Sequence, residues 1–125
     1  MKIKESAENY LETILMLKQK NGSVRSIDVA TELGFSKPSI SYAMKLFREN
    51  GYIEIVDGGN IILTEKGNKI AVRIYQRHKL LTKLFMNIGV SEAIAKEDAC
   101  RIEHYLSDET FEKLSLYFNN LNTEN

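Results

Sequence analysis

The feature that most constrains the fold is one change of hydrophobic period between Ser26 and Leu63. Up to Asn50 the apolar residues recur at helical spacing. Beyond it they form two short β-type runs, Tyr52 to Val56 and Ile61 to Leu63, parted by Asp57-Gly58-Gly59-Asn60. A turn-rich break of this kind between β-branched runs predicts a hairpin. Two short helices precede it. Ser26 is placed to cap one over Ile27 to Leu33, closed by Gly34. Ser36 is placed to cap the next, with Pro38 in its first turn, where a missing N–H costs nothing, and Asn50-Gly51 as its end. Ala30, Gly34 and Ile40 fall at helix-turn-helix offsets. A small residue lets the helices cross closely, glycine takes the left-handed turn, and an apolar residue locks the second helix onto the first. Helix, tight turn, helix and hairpin is the order of a winged helix-turn-helix.

The remainder is helical. Tyr10, Leu11, Ile14, Leu15 and Leu17 give the stripe of a first helix from Glu5 to Lys20, stopped by Asn21-Gly22. A long helix starts at Thr64-Glu65 and runs through Ile70, Ile74, His78, Leu81 and Phe85 towards Gly89. Ser91 is placed to cap a helix through Tyr105, and a last one runs from about Ser107 to Asn120 with Phe111, Leu114 and Phe118 as its stripe. The tail Asn122 to Asn125 is expected to fray. The predicted class is mainly α: an N-terminal winged helix-turn-helix with a small β-hairpin wing over 1–72, then a helical domain over 73–125, joined by the long helix from about 65. One proline in 125 residues suits long helices, and one cysteine excludes a disulfide framework. No apolar run approaches the roughly 18 residues of a membrane span. The N-terminus lacks the apolar core of a secretory signal. A cytoplasmic protein with no membrane partner is expected.

Net charge is zero, but unevenly spread. Ser36 to Lys83 holds nine basic residues against four acidic ones; Leu84 to Asn125 holds three against eight. A basic part facing a polyanion, joined to a part with another task, is the implied organisation. The second helix of a helix-turn-helix lies in the major groove with its N-terminal residues on base edges. Here those are Ser36, Lys37, Pro38, Ser39, Ser41, Tyr42 and Lys45, so double-stranded DNA is the expected partner. Lys66, Lys69 and Arg73 fit phosphate contacts or a solvated helix face equally well.

A second constellation lies on the later helices. Cys100, Glu103 and His104 stand at i, i+3 and i+4, which on a continuous helix puts all three on one face. Thiolate, carboxylate and imidazole together suit a transition metal better than calcium. His78 is the only other histidine, and Asn9 with Glu12 offers an amide oxygen and a carboxylate on the first helix. Taken singly, each residue also fits a structural role. A Cys–His nucleophile is disfavoured, because no oxyanion hole or orienting third residue accompanies it.

Several segments resemble the metal-dependent bacterial repressors of the diphtheria toxin repressor and manganese transport regulator type. They are Glu8-Asn9-Tyr10-Leu11-Glu12-Thr13-Ile14, the helix-turn-helix, Leu63-Thr64-Glu65-Lys66-Gly67, Arg77-His78-Lys79-Leu80-Leu81 and Asp98-Ala99-Cys100-Arg101-Ile102-Glu103-His104. They follow in order over roughly residues 5–118. The resemblance implies a homodimer that binds operator DNA when a divalent metal is bound and represses metal-uptake genes, with 1–72 as the DNA-binding domain and 73–125 as the helical metal-binding and dimerisation domain. Carried over position by position, it implies the ligands Asn9, Glu12, His78, Cys100, Glu103 and His104.

The departures bear on the metal. The manganese branch carries carboxylates where this chain has Asn9 and Cys100. The iron branch shares the cysteine but usually has methionine at the Asn9 position, and its ancillary site has an acid and a histidine where this chain has Thr82 and Lys96. Glu12 matches the manganese branch. A soft thiolate disfavours Mn2+ relative to Fe2+, Co2+ or Zn2+, so Fe2+ is the expected signal, with Mn2+ the alternative and Zn2+ or Co2+ able to bind in vitro. One site from Cys100, Glu103 and His104, completed by Asn9, is expected ahead of a full binuclear centre. The alternatives are a winged-helix regulator with a non-metal effector and a small metal- or thiol-dependent enzyme. No phosphate loop, acid–base pair or organic-substrate motif is present in the sequence.

Overall fold

Element order follows the two hydrophobic periods. In the computed structural model of the chain, residues 5–123 are described, and they form α1 (Glu5–Asn21), α2 (Ser26–Leu33), α3 (Lys37–Glu49), β1 (Ile53–Val56), β2 (Asn60–Leu63), α4 (Glu65–Asn87), α5 (Glu92–Ile102) and α6 (Asp108–Thr123). Fraying is expected over Asn122 to Asn125, but α6 runs through Asn122 and Thr123, past its expected end at about Asn120; residues 124–125, and the start of the chain at 1–4, lie outside the described residues. Among the described residues no helix is long and apolar enough to cross a membrane. The chain divides inside α4 into two compact units, Met1–Arg73 and Ile74–Asn125.

The first unit is the winged helix-turn-helix. Leu11, Ile14, Leu15 and Leu17 of α1 are buried, with Val29 and Ala30 of α2 and Ile40, Ala43, Met44 and Phe47 of α3. Tyr10 lies tilted against Phe35 at 5.8 Å between ring centroids and meets Phe47 edge-on at 5.6 Å. Edge-to-face rings add directionality to what is otherwise area burial. Gly34 ends α2 with φ of 72°, the left-handed value that a side chain resists, and its N–H closes on the Ala30 carbonyl. Strands β1 and β2 pair antiparallel, Ile53 with Leu63 through Val56 with Asn60, across a 3-10 turn at Asp57–Gly59. The hairpin gains a third edge: the Ile61 N–H donates to the Val24 carbonyl, and Arg25 bridges to Asn60.

Two further boundaries differ from the sequence reading. Arg25, rather than Ser26, is the N-cap of α2, with its N–H donating to the Asp28 carboxylate at 2.9 Å. An acidic residue at the third helical position does the capping from inside the helix. Helix α5 ends at Ile102, not Tyr105, and residues 103–105 form a turn.

The start of α4 depends on a close approach. A Cβ on Gly67 would collide with the Tyr52 main-chain carbonyl, so no larger residue fits there. Thr64 supports the same junction: its hydroxyl donates to the Gly51 carbonyl at 2.6 Å and accepts from the Gly67 N–H at 3.1 Å. The second unit comprises the rest of α4 with α5 and α6. Ile74, Leu81, Ala95 and Ala99 are its buried apolar residues, and the polar Arg77, Thr82 and Glu103 are buried too.

Candidate metal centre and nucleic-acid interface

The helix-turn-helix sequence builds a two-faced α3. Ser36 caps it, its Oγ accepting from the Ser39 N–H at 3.3 Å and donating to Ser39 Oγ at 2.9 Å. Ile40, Ala43, Met44 and Phe47 point inward. All seven residues read as base-edge candidates, Ser36, Lys37, Pro38, Ser39, Ser41, Tyr42 and Lys45, are exposed, Tyr42 at 65%. A helix that buries one apolar stripe and offers hydroxyls, ammonium groups and a phenol on the other is chemically suited to a base-lined groove.

The basic segment is less free than its composition suggests. Arg73 pairs with the nearly buried Glu8 at 3.0 Å. Lys66 donates to the Asn50 carbonyl at 3.3 Å and lies 4.3 Å from the Tyr52 ring centroid. Lys69 sits 3.9 Å from Glu65, both well exposed, an ion pair of little energetic weight. Arg77, counted with the polyanion-facing charges, is 2% exposed and belongs to the interior of the second unit. Arg25, which the sequence reading passed over, reaches the wing, with its guanidinium donating to the Gly58 carbonyl. Composition counts a guanidinium wherever it lies; the signal that could have found Arg25 is its place just before Asp28 and opposite a glycine turn.

In the second unit the imidazoles of His78 and His104 lie beside the Glu103 carboxylate. His78 on α4 places Nδ1 3.0 Å from Glu103 Oε2, and His104 Nε2 lies 3.5 Å from Glu103 Oε1. The Glu103 side chain is fully buried, that of His104 is 1% exposed and that of His78 18%. Thr82 Oγ1 donates to the His78 carbonyl at 2.7 Å and steadies this stretch of α4. A carboxylate excluded from water is costly unless charge or hydrogen bonds compensate it, and here two imidazoles flank it. Two nitrogen donors and a carboxylate form a set that suits Mn2+, Fe2+, Co2+ or Zn2+, so the residues present fit a divalent transition metal.

Cys100 is exposed; α5 stops at Ile102, although Glu103 keeps helical dihedrals (φ −59°, ψ −27°) and its N–H still donates to the Ala99 carbonyl at 3.0 Å. Asn9, half-buried, and Glu12, buried, stand one turn apart on α1 in the first unit. At the two ancillary positions, Thr82 is occupied with the His78 carbonyl and Lys96 pairs with Glu92 at 3.0 Å on the surface.

Comparison with known proteins gives one result along the chain. The family described as "Iron dependent repressor, N-terminal DNA binding domain" matches residues 2–59, and "Iron dependent repressor, metal binding and dimerisation domain" matches residues 64–125. The transcriptional regulator MntR of Escherichia coli O6:H1 is 32% identical over 114 residues, covering 91% of this chain and 74% of that protein. An uncharacterized HTH-type transcriptional regulator of Methanocaldococcus jannaschii is 34% identical over 116 residues, covering 90% and 92%. The solved structure of the manganese regulator SloR superposes with a TM-score of 0.78 at 25% identity, covering 90% of this chain and 53% of that one. The chain therefore spans about half the length of that solved relative.

Proposed function

The chain belongs to the metal-dependent transcriptional repressor family of the diphtheria toxin repressor and manganese transport regulator type, and from that premise we propose that it is a homodimeric repressor of metal-uptake genes that grips operator DNA when Fe2+ is bound. The observation that carries the metal reading is the buried meeting of His78, Glu103 and His104, with 3.0 Å between His78 Nδ1 and Glu103 Oε2.

In this reading His78, Glu103 and His104 hold the ion, Cys100 adds a thiolate, and Asn9 and Glu12 are the ligands that the resemblance adds from α1. When bound, the ion supplies the positive charge that a buried carboxylate lacks. A metal that favours the DNA-binding state links metal affinity to DNA affinity, each raising the other by the same factor. Ser39, Ser41 and Tyr42 read base edges; Lys37 and Lys45 contact phosphate. Tyr105 is exposed, and Phe111, Leu114 and Phe118 of α6 are half-buried; we assign them to the dimer surface. A two-fold dimer doubles the contact of a single winged module, which alone would hold DNA weakly.

Fe2+ is preferred over Mn2+ on account of Cys100 and the neutral Asn9. A second reading has a specific basis: Cys100 is exposed. If it stays in solvent, the remaining nitrogen and oxygen donors are harder and Mn2+ becomes the activator. Thiolate-to-metal absorption on adding Co2+ separates the two. A non-metal effector finds less support. The cleft between α2 and α3 is about 260 Å³ and lined by Lys37 and Ser41 of the DNA-facing helix. That volume is below the roughly 300–1,000 Å³ of small-molecule sites.

The deciding experiment uses Glu103→Gln and His104→Ala. Both should stay folded and dimeric yet lose metal-stimulated binding to a DNA site selected from a random library. Undiminished metal stimulation in both variants would overturn the proposal.

A further inference from the structure

Two neighbouring residues of α4 grip Glu103 from opposite ends. His78 meets its carboxylate at 3.0 Å, while the Arg77 guanidinium takes its main-chain carbonyl at 3.2 Å. Arg77 goes further. The same nitrogen donates to the Leu106 carbonyl, and its other terminal nitrogen pairs with the Asp108 carboxylate at 2.5 Å. The guanidinium carbon lies 5.5 Å from the Phe111 ring centroid. One buried side chain thus ties the turn at 103–106 to the first residue of α6.

Burying a guanidinium is expensive, and apolar packing would hold a turn at lower cost. What the fork adds is direction: it fixes two carbonyls and a carboxylate at set angles, which a lysine ammonium cannot reproduce. The cation also sits beyond the C-terminus of α5, where the last carbonyls of a helix favour positive charge. Its Nε has no hydrogen-bond partner among the described residues, so the side chain accepts an unsatisfied donor to keep this geometry.

We propose that Arg77 is a positioning residue for the metal centre: by fixing the main chain of the Glu103–Leu106 turn and anchoring it to Asp108, it sets the Glu103 carboxylate and the His104 ring for the ion. This rests on the reading of His78, Glu103 and His104 as ligands. Partners that orient a ligand typically change metal affinity by about 10- to 100-fold when removed.

The test uses the full chain and Co2+, read by visible absorption and by competition with a chelator of known affinity. Wild type, Glu103→Gln, Arg77→Lys and Asp108→Asn are compared. Asp108 has a side chain 82% exposed, so its replacement leaves the fold intact even if Arg77→Lys unfolds. The proposal expects Co2+ to bind about 10-fold or more weakly to folded Arg77→Lys, and several-fold more weakly to Asp108→Asn with an altered absorption band. Metal-free Asp108→Asn should stay folded and melt cooperatively, somewhat below wild type, since the amide oxygen still accepts from Arg77 but the buried guanidinium loses its opposite charge. Wild-type Co2+ affinity and spectrum in Asp108→Asn, with Glu103→Gln impaired, overturn the role of Arg77 alone. Wild type that binds no Co2+, or Glu103→Gln that binds it as wild type does, overturns the metal reading and this inference with it.

Discussion

Tyr42→Ala separates reading DNA from building the fold. Tyr42 is 65% exposed on α3, while Ile40 and Met44 beside it are 1% and 2% exposed. Truncating an exposed side chain away from any cap or buried pair changes stability by no more than about 0.5 kcal/mol. A side chain on a base edge contributes about 1–3 kcal/mol of discrimination. On that scale the variant should bind about 5- to 150-fold more weakly per half-site while melting within a degree or two of wild type. Fluorescence anisotropy of metal-loaded protein on a selected DNA site measures the affinity, and footprinting shows whether base preference relaxes. Lys45→Ala is the control: it should weaken all sequences evenly and lower the salt slope by about one for each phosphate that the ammonium group neutralises. Tyr42→Ala with wild-type affinity and footprint would mean that α3 does not present this face to DNA.

Other expectations follow from particular contacts. Gly67→Ala should cost about 3 kcal/mol, because the new Cβ meets the Tyr52 carbonyl and backbone must move; an unchanged melting temperature would contradict that packing. Arg25→Ala should speed hydrogen exchange of the β1 and β2 amides, since Arg25 ties the wing to α2; unaltered protection would show that the hairpin needs no such tie. Cys100→Glu with Asn9→Asp should raise the response to Mn2+ relative to Fe2+, Co2+ and Zn2+; the same metal ranking before and after would remove Cys100 and Asn9 from the site.

Most of the fold was legible because local chemistry and tertiary packing agree. Gly34, Ser36 with Pro38, and the Asp57–Asn60 break each mark a boundary by their own conformational preferences, and the structure places one there. The sequence reading went astray where a distant residue decides. Nothing local stops α5, which carries no glycine or proline near Ile102; the Arg77 hydrogen bonds to the Glu103 and Leu106 carbonyls accompany a turn there instead. Arg77 itself was read as surface charge because composition does not report burial. His78 and Glu103 stand 25 residues apart, and only the fold brings Nδ1 to Oε2. Their pairing was expected from the resemblance, whereas spacing alone could supply no more than the Glu103–His104 end.

The central claim is that His78, Glu103 and His104 hold a divalent ion whose occupancy governs DNA binding. The most direct measurement is the affinity of the purified chain for a selected DNA site at buffered free Fe2+ and Mn2+ under anaerobic conditions, with a chelator as reference. The account predicts that affinity rises at least 10-fold with free metal, saturates, falls back on chelation, and responds to lower free Fe2+ than Mn2+. DNA binding that is equally tight with chelator and with either metal would contradict it.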